Sequence, residues 1–242
     1  MKLITHLALG AALCLAMAAA QAQVAQHPCG SLRNAYGPFD YRIYKDRIEV
    51  QRVDEHHFTP LVENLIKPMF GKFGGDFDYT LRAVPNHHRA LISMAKYSLK
   101  IKNIQPPGLD RTVDCFFDRA MRFAPDDLIV RMIYADFMLK QGKRLTEAVE
   151  MLDHVAEHAD ENPLTHFNAG LLYYDAKEYG KASQQAQRAL DLGLTNTALK
   201  DKLVAAGKWV DPPAGPGPAA STASAAASAP ETSARAGTDA PR

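Results

Sequence analysis

The chain has 242 residues, of which 47% are hydrophobic and 23% are charged, and its formal net charge is +1. Of the 28 lysines and arginines only Lys2 lies in the first 22 residues, so 27 basic groups face 27 acidic groups in the rest of the chain. This balance, with no basic block, argues against nucleic acid and anionic membrane surfaces as partners.

The N-terminus has the pattern of a secretory signal peptide. Lys2 precedes an apolar run, LALGAALCLAMAAA, and a small-x-small site, AQA, ends at Ala22. We expect cleavage after Ala22 and a periplasmic or secreted protein, with an uncleaved anchor as the alternative. No other run approaches the roughly 18 apolar residues that a membrane-spanning helix needs, so no span is predicted.

Two cysteines follow the signal, Cys29 and Cys115. Cysteines that pair in an oxidising compartment usually form a bridge, so a Cys29–Cys115 disulfide is predicted. The alternative is two buried thiols. Two cysteines without a C-x-x-C motif are too few for a structural zinc site, and no cofactor is expected.

The first part of the mature chain, residues 23–84, fits no repeat. It is rich in glycine and aromatic residues, as in CGSLRNAYGPFDYR and FGKFGGDFDY. We expect an irregular segment that caps the rest of the chain, with one short helix at about Leu61 to Ile66. Its Gly-Gly-Asp is too weak a motif for a phosphate or calcium loop.

Two adjacent histidines follow Pro85, which marks the seam to the next part of the chain. Asn86 is expected to cap the following helix, which places His87 and His88 in its first turn. Adjacent side chains on a helix point about 100° apart, so the two rings cannot easily hold one ion. We interpret the pair as structural, with a metal-ligand role as the alternative.

Residues 85–210 contain a repeated helix–turn–helix pattern. The clearest unit starts at Pro163 and reads PLTHFNAGLLYYDAKEYGKASQQAQRALDLGLTN. Asn162 suits the N-cap of its first helix, and proline suits the first helical position. Similar units start at His88 and Leu128, and the first of them carries an insertion, NIQPPGL, expected to be a surface loop. A closing amphipathic helix is predicted in TNTALKDKLVAAGKW.

The unit at Pro163 resembles the tetratricopeptide repeat family. Ala169 and Gly170 fall on the family's Leu-Gly positions and Tyr173 on its first tyrosine, with further matches at Tyr179, Ala182, Ala189 and Leu190. Ala186 and Leu194 depart from the usual aromatic residue and proline. The resemblance implies an all-α fold: a TPR-like α-α superhelix of about three helical hairpins plus a C-terminal capping helix, after the irregular N-terminal segment.

Cys115 lies in the second helix of the first unit. A bond to Cys29 would therefore strap residues 23–84 across that helix as an N-terminal cap and leave the groove of the superhelix open. A bridge that closes so long a loop should stabilise the fold by roughly 2–5 kcal/mol.

The resemblance implies a protein- or peptide-binding scaffold of the cell envelope rather than an enzyme. The stretches CGSLRNAYGPFDYR and GGDFDYTLRAVPNHHRAL also resemble exported proteobacterial proteins with such repeats, a likeness that implies no activity. Repeat solenoids bind partners on the concave face of their first helices. By that geometry the predicted groove residues are Arg89, Ile92, Lys96, Asp136, Lys140, Phe167, Asn168, Leu171 and Tyr174.

The alternative function is a metal-binding protein or a metal-assisted envelope enzyme that uses the histidine-rich positions. Weak metal candidates are His154 and His158, which lie four residues apart in DHVAEH. No G-x-S-x-G motif supports a serine nucleophile. We therefore predict no enzyme.

The end of the chain, residues 211–242, reads DPPAGPGPAASTASAAASAPETSARAGTDAPR. It contains no large apolar residue and cannot bury enough surface to offset the entropy of ordering. We expect a disordered tail.

Overall fold

The structure is a computed structural model that describes residues 27–211. The predicted signal peptide and the predicted tail beyond Asp211 lie outside the described residues. Within residues 27–211 the secondary structure is helical and contains no strand, which confirms the all-α prediction. A short 3-10 turn at Tyr44–Asp46 precedes ten α-helices: α1 Arg47–His57, α2 Pro60–Glu63, α3 Phe73–Ala83, α4 His88–Ile101, α5 Val113–Phe123, α6 Leu128–Gln141, α7 Leu145–His158, α8 Pro163–Asp175, α9 Tyr179–Asp191 and α10 Ala198–Ala205. None of these helices has the length and apolar character that crossing a bilayer requires.

Helices α4, α6 and α8 begin at the three predicted unit starts. Local chemistry sets these boundaries. The Asn162 side chain accepts hydrogen bonds from the N–H groups of Leu164 (3.0 Å) and Thr165 (3.1 Å), as a helix cap does. At the other end of the preceding unit's first helix, Gly142 stops α6 in a left-handed conformation at φ +69°.

Three hairpins are nested side by side. The pairs are α4 with α5, α6 with α7, and α8 with α9, and the first helices are neighbours, α4 beside α6 and α6 beside α8. Helix α10 covers α8 and α9 through the buried Leu199 and Leu203, while Val204 stays exposed. One continuous apolar core runs through the units from Phe58 to Leu203.

Gly170 lies where α8 passes close to α9 and α10. A Cβ on Gly170 would lie 3.2 Å from Gln185 Cβ of α9 and 2.5 Å from Leu199 Cδ2 of α10. A larger side chain would therefore separate α8 from both α9 and α10.

A buried tyrosine fastens each hairpin to the one before it. The Tyr134 hydroxyl of α6 donates to Asp114 of α5 (2.9 Å), and that carboxylate also pairs with Arg144 (2.7 Å). One hairpin later the Tyr173 hydroxyl donates to Asp153 (2.7 Å). The Asp153 carboxylate also pairs with Lys181 (2.6 Å). The same three-part contact thus recurs along the stack.

The N-terminal segment is far more helical than expected, which corrects the irregular assignment of FGKFGGDFDY. Helix α3 begins at Phe73, inside that stretch. Its glycines permit close packing rather than breaking the helix: a Cβ on Gly74 would lie 2.4 Å from the Pro107 carbonyl oxygen. The predicted helix near Leu61 exists as α2, although it ends at Glu63.

The cap of α4 is His87 rather than the predicted Asn86. His87 Nδ1 accepts a hydrogen bond from the N–H of Ala90 (3.2 Å). Asn86 is fully buried and turns away from the helix, because its Nδ2 donates to Asp40 (2.8 Å) and Asp127 (3.0 Å). Tertiary partners have therefore displaced the better local cap.

Residues 27–42, which we call the strap, cross the second helix of the first hairpin as predicted. Cys29 and Cys115 form a disulfide bond, which confirms that prediction. The Ser31 carbonyl accepts from the buried Arg119 of α5, and the Gly30 carbonyl accepts from Arg122 (3.1 Å).

Candidate binding face

The candidate site is the solvent-accessible side of the three neighbouring first helices, which we call the first-helix face. The nine residues predicted for the groove all lie on these helices and none of them is buried. They are exposed at Arg89, Ile92, Lys96, Lys140 and Asn168 and half-buried at Asp136, Phe167, Leu171 and Tyr174.

Apolar side chains form a row across this face. Ile92 of α4 is 36% exposed, Ile129 of α6 is 45% exposed and Leu164 of α8 is 58% exposed. Phe167 and Leu171 extend the row, with one side packed on the core. Each of the three adjacent helices α4, α6 and α8 therefore contributes an exposed apolar side chain to this face, and we call this set the apolar row.

Two members of this row were missed by the sequence analysis. Ile129 and Leu164 occupy the second position of α6 and α8, the position that Arg89 occupies in α4. Aligning the three unit starts would have found them. Their apolar character does not mark them as exposed, since periodicity alone does not show which apolar residues a neighbour covers.

The N-terminal segment covers one end of the face, contrary to the expectation that it leaves the groove open. Arg89 Nε donates to Glu63 of α2 (2.7 Å), and its guanidinium lies 5.6 Å from the centre of the Phe58 ring. The Ser93 hydroxyl donates to the Glu63 carbonyl (2.9 Å). The hydrogen bond from Arg89 lowers the pKa of Glu63. Arg89 is thus already engaged within the chain.

A basic cavity lies at the other end, where α4 and α6 finish. Its volume is about 570 Å³, and its cationic lining consists of Lys102, Lys140, Lys143 and Arg144 without any carboxylate. Lys140 pairs with Asp136 (2.6 Å) and Arg144 with Asp114. In the described part of the chain no ion pair includes Lys102 or Lys143.

Near the C-terminal end of α8, an aromatic side chain of the face lies beside a cation. The ammonium group of Lys202, from the capping helix, lies 4.0 Å from the centre of the Tyr174 ring. Tyr174 also packs edge-on against Tyr179 (5.4 Å between ring centres). The face therefore contains apolar, aromatic and cationic groups together.

The adjacent histidines at the seam do not converge on one position. His87 Nε2 lies 2.8 Å from Asp54, whereas His88 Nε2 lies 2.8 Å from Asp127. The Tyr41 ring packs against both imidazoles, at 4.3 Å and 5.1 Å between ring centres. This arrangement fits the structural interpretation of the pair.

The other predicted metal candidates stack on each other. The rings of His154 and His158 lie 4.0 Å apart, and His158 Nδ1 contacts the His154 carbonyl oxygen at 2.8 Å. Burial, Arg131 and the neighbouring imidazole together lower the pKa of His154. Within residues 27–211 one set of three possible metal ligands has its donor atoms within 4.8 Å of one another, and it is a different set: His27, Cys29 and Asp118.

The chain matches no protein-family model, no curated protein and no solved structure.

Proposed function

We propose that this protein is an exported helical-repeat scaffold that binds a protein or peptide of the cell envelope on its first-helix face. The observation that carries the proposal is the apolar row, in which Ile92, Ile129 and Leu164 are exposed on three adjacent helices. Contiguous apolar patches on a folded surface typically mark interaction sites. The TPR-like register of the three unit starts is consistent with this interpretation.

Export is part of the proposal. The signal-peptide pattern of the first 22 residues supports it, and so does the Cys29–Cys115 bond, because disulfides persist in oxidising compartments. A periplasmic or secreted scaffold with these features meets its partner in the envelope.

The composition of the face indicates the chemistry of the partner. An amphipathic helix or an extended peptide would place apolar side chains on the row formed by Ile129 and Leu164. The cavity contains Lys102 and Lys143, which pair with no carboxylate among residues 27–211. This charge favours acidic groups on the part of the partner that lies at the ends of α4 and α6.

Site-specific photo-crosslinking tests the face. A photoreactive amino acid at position 129 or 164 is expected to crosslink the same envelope protein. The matched control is position 204, because Val204 on the capping helix is 54% exposed and Leu164 is 58% exposed. Crosslinks of equal yield from position 204, or none from positions 129 and 164, would contradict the proposal.

A double substitution on the same face gives a second test, in which capture of the partner is measured. The double variant Lys140→Glu/Tyr174→Ala should capture much less of the crosslinked partner than wild type does, since it removes a cation and an aromatic contact from the face. Unchanged capture would count against binding there. Circular dichroism checks that the variant keeps the helix content of wild type.

A further inference from the structure

Three potential metal donors meet where the strap joins α5, and a fourth is bonded to one of them. His27 Nδ1, Cys29 Sγ and an Asp118 carboxylate oxygen all lie within 4.8 Å of one another, and Cys115 Sγ is bonded to Cys29 Sγ. His27 Nδ1 is 3.5 Å from Asp118 Oδ2. Two cysteines alone are too few for a zinc site, but this histidine and this aspartate supply two further ligands.

The donor types suit zinc. Zn²⁺ binds thiolate, imidazole and carboxylate ligands in tetrahedral sites, with metal–donor lengths of roughly 2.0–2.3 Å. Those lengths place neighbouring donors about 3.3–3.8 Å apart. The 3.5 Å separation of His27 Nδ1 and Asp118 Oδ2 already falls in this range. In the disulfide state the two sulfur atoms are bonded to each other and do not act as thiolate ligands.

We propose that reduction of the Cys29–Cys115 bond converts this end of the strap into a zinc site with the ligands Cys29, Cys115, His27 and Asp118. A dithiol reductant supplies two electrons and two protons, so the disulfide becomes two thiols while the dithiol becomes a disulfide. Zinc binding then releases the two thiol protons, and both sulfurs coordinate as thiolates.

The charges around the site favour the complex. Two thiolates and one carboxylate on Zn²⁺ give a net charge of −1, which neighbouring cations stabilise. Arg122 Nε donates to Asp118 Oδ2 (2.8 Å), and this contact both orients the carboxylate and offsets its charge. Arg119, the next residue of α5, donates to the Ser31 carbonyl of the strap. The metal replaces one long hydrogen bond, from the Cys29 N–H to His27 Nδ1 (3.2 Å).

The four ligands hold the strap to α5 in either state, by a disulfide under oxidising conditions and by zinc under reducing conditions. The proposal does not depend on the binding function of the first-helix face, because the strap crosses α5 and the face lies on α4, α6 and α8.

Cobalt spectroscopy on the full chain tests the site. After reduction with a phosphine under anaerobic conditions, the protein is expected to bind one Co²⁺ with the sulfur-to-cobalt charge-transfer band and the visible bands of a tetrahedral thiolate site. Zn²⁺ should bleach these bands stoichiometrically. The oxidised protein should show neither band, and circular dichroism records the helix content before and after reduction.

Single substitutions distinguish a four-ligand site from metal binding by the two thiolates alone. His27→Ala and Asp118→Ala should each weaken Co²⁺ binding by more than about tenfold, since changes outside the ligand set itself already cost 10–100-fold. The matched controls His158→Ala and Asp191→Ala, at exposed positions outside the site, should bind as wild type does. Absence of the cobalt bands overturns the proposal, and so does equal affinity in all four variants, whether or not the helices survive reduction.

Discussion

A buried polar network joins the strap to the seam before α4. Asn86 donates to both Asp40 and Asp127, and its own oxygen accepts the N–H of Tyr41 (3.0 Å). Arg42 adds two hydrogen bonds from its side chain to the Asp40 carboxylate (2.8 and 3.1 Å). Asn86 therefore has partners for its oxygen and for its amide group, which is the condition under which a buried amide stabilises a fold.

These contacts change the acidity of Asp40. Burial alone would raise its pKa, but the hydrogen bonds from Arg42 and Asn86 outweigh burial and lower the pKa from 3.8 to about 2. The folded state thus holds a proton on this group less tightly than the unfolded state. Its contribution to stability is complete above about pH 4 and is lost as the pH falls towards 2.

We therefore predict that wild type loses roughly 2 kcal/mol more unfolding free energy between pH 4 and pH 2 than Asp40→Asn does. Urea denaturation at a series of pH values measures both curves, and their difference isolates Asp40 from the other carboxylates. The exposed Glu161→Gln variant serves as a control and should follow wild type. Parallel curves for wild type and Asp40→Asn would refute the assignment.

At the scale of elements, the loop between α4 and α5 docks on the first turn of α3. A Cβ on Gly74 would lie 2.4 Å from the Pro107 carbonyl oxygen, and a Cβ on Gly108 would lie 2.6 Å from the Gly75 nitrogen. The contacting atoms belong to the backbone, which cannot rotate away as a side chain can. The insertion predicted as a surface loop is therefore packed on the N-terminal segment, with Pro106 and Leu109 buried.

Two adjacent glycines make this contact testable. Gly74→Ala should lower the unfolding free energy by about 1–3 kcal/mol, because overpacking outweighs the gain in helix propensity. Gly75→Ala should be neutral or stabilise by up to about 1 kcal/mol, since its Cβ would have no neighbour closer than 3.9 Å. Thermal or urea denaturation compares the pair. Equal effects of the two alanines would show that propensity, and not packing, governs the site.

The repeats were predictable from the sequence, whereas of the N-terminal helices only α2 was. Helix α8 carries local signals at its start, Asn162 and Pro163, that agree with its tertiary packing, and the starts of α4 and α6 follow from the period of the repeat. In α3 the signals disagree, because Gly74 disfavours a helix locally and is required by a loop that lies more than 30 residues away in sequence. The candidate face shows the same limit: the faces of the helices follow from periodicity, whereas the cover that Glu63 places on Arg89 does not.

For the whole molecule, the strap ties elements that are distant in sequence. It starts at α5 through Cys29, passes the end of α3 through the Phe39 N–H on the Ala83 carbonyl (2.9 Å), and reaches the seam at Asn86. The chain then continues through α1 and α2 to Arg89 on α4. The N-terminal segment thus contacts both helices of the first hairpin.

The strap also provides hydrogen-bond acceptors for a buried charge. Arg119 is 1% exposed, and its Nη1 donates to the Ser31 carbonyl. Burial lowers the pKa of Arg119, and Arg111 and Arg122 act in the same direction. Loss of the strap would remove the Ser31 carbonyl from this guanidinium, so the disulfide maintains a contact as well as a chain crosslink.

Removal of the disulfide should therefore destabilise the whole unit. In the presence of a metal chelator, Cys29→Ser/Cys115→Ser is predicted to lose about 2–5 kcal/mol of unfolding free energy, because the bridge restricts an unfolded chain across 86 residues of sequence. Urea denaturation measures the loss, and chemically reduced wild type in chelator should match the variant. Hydrogen exchange should accelerate most at the amides of the strap. A variant as stable as oxidised wild type, with a protected strap, would show that the hydrogen bonds to α5 and the seam hold the segment without the bridge.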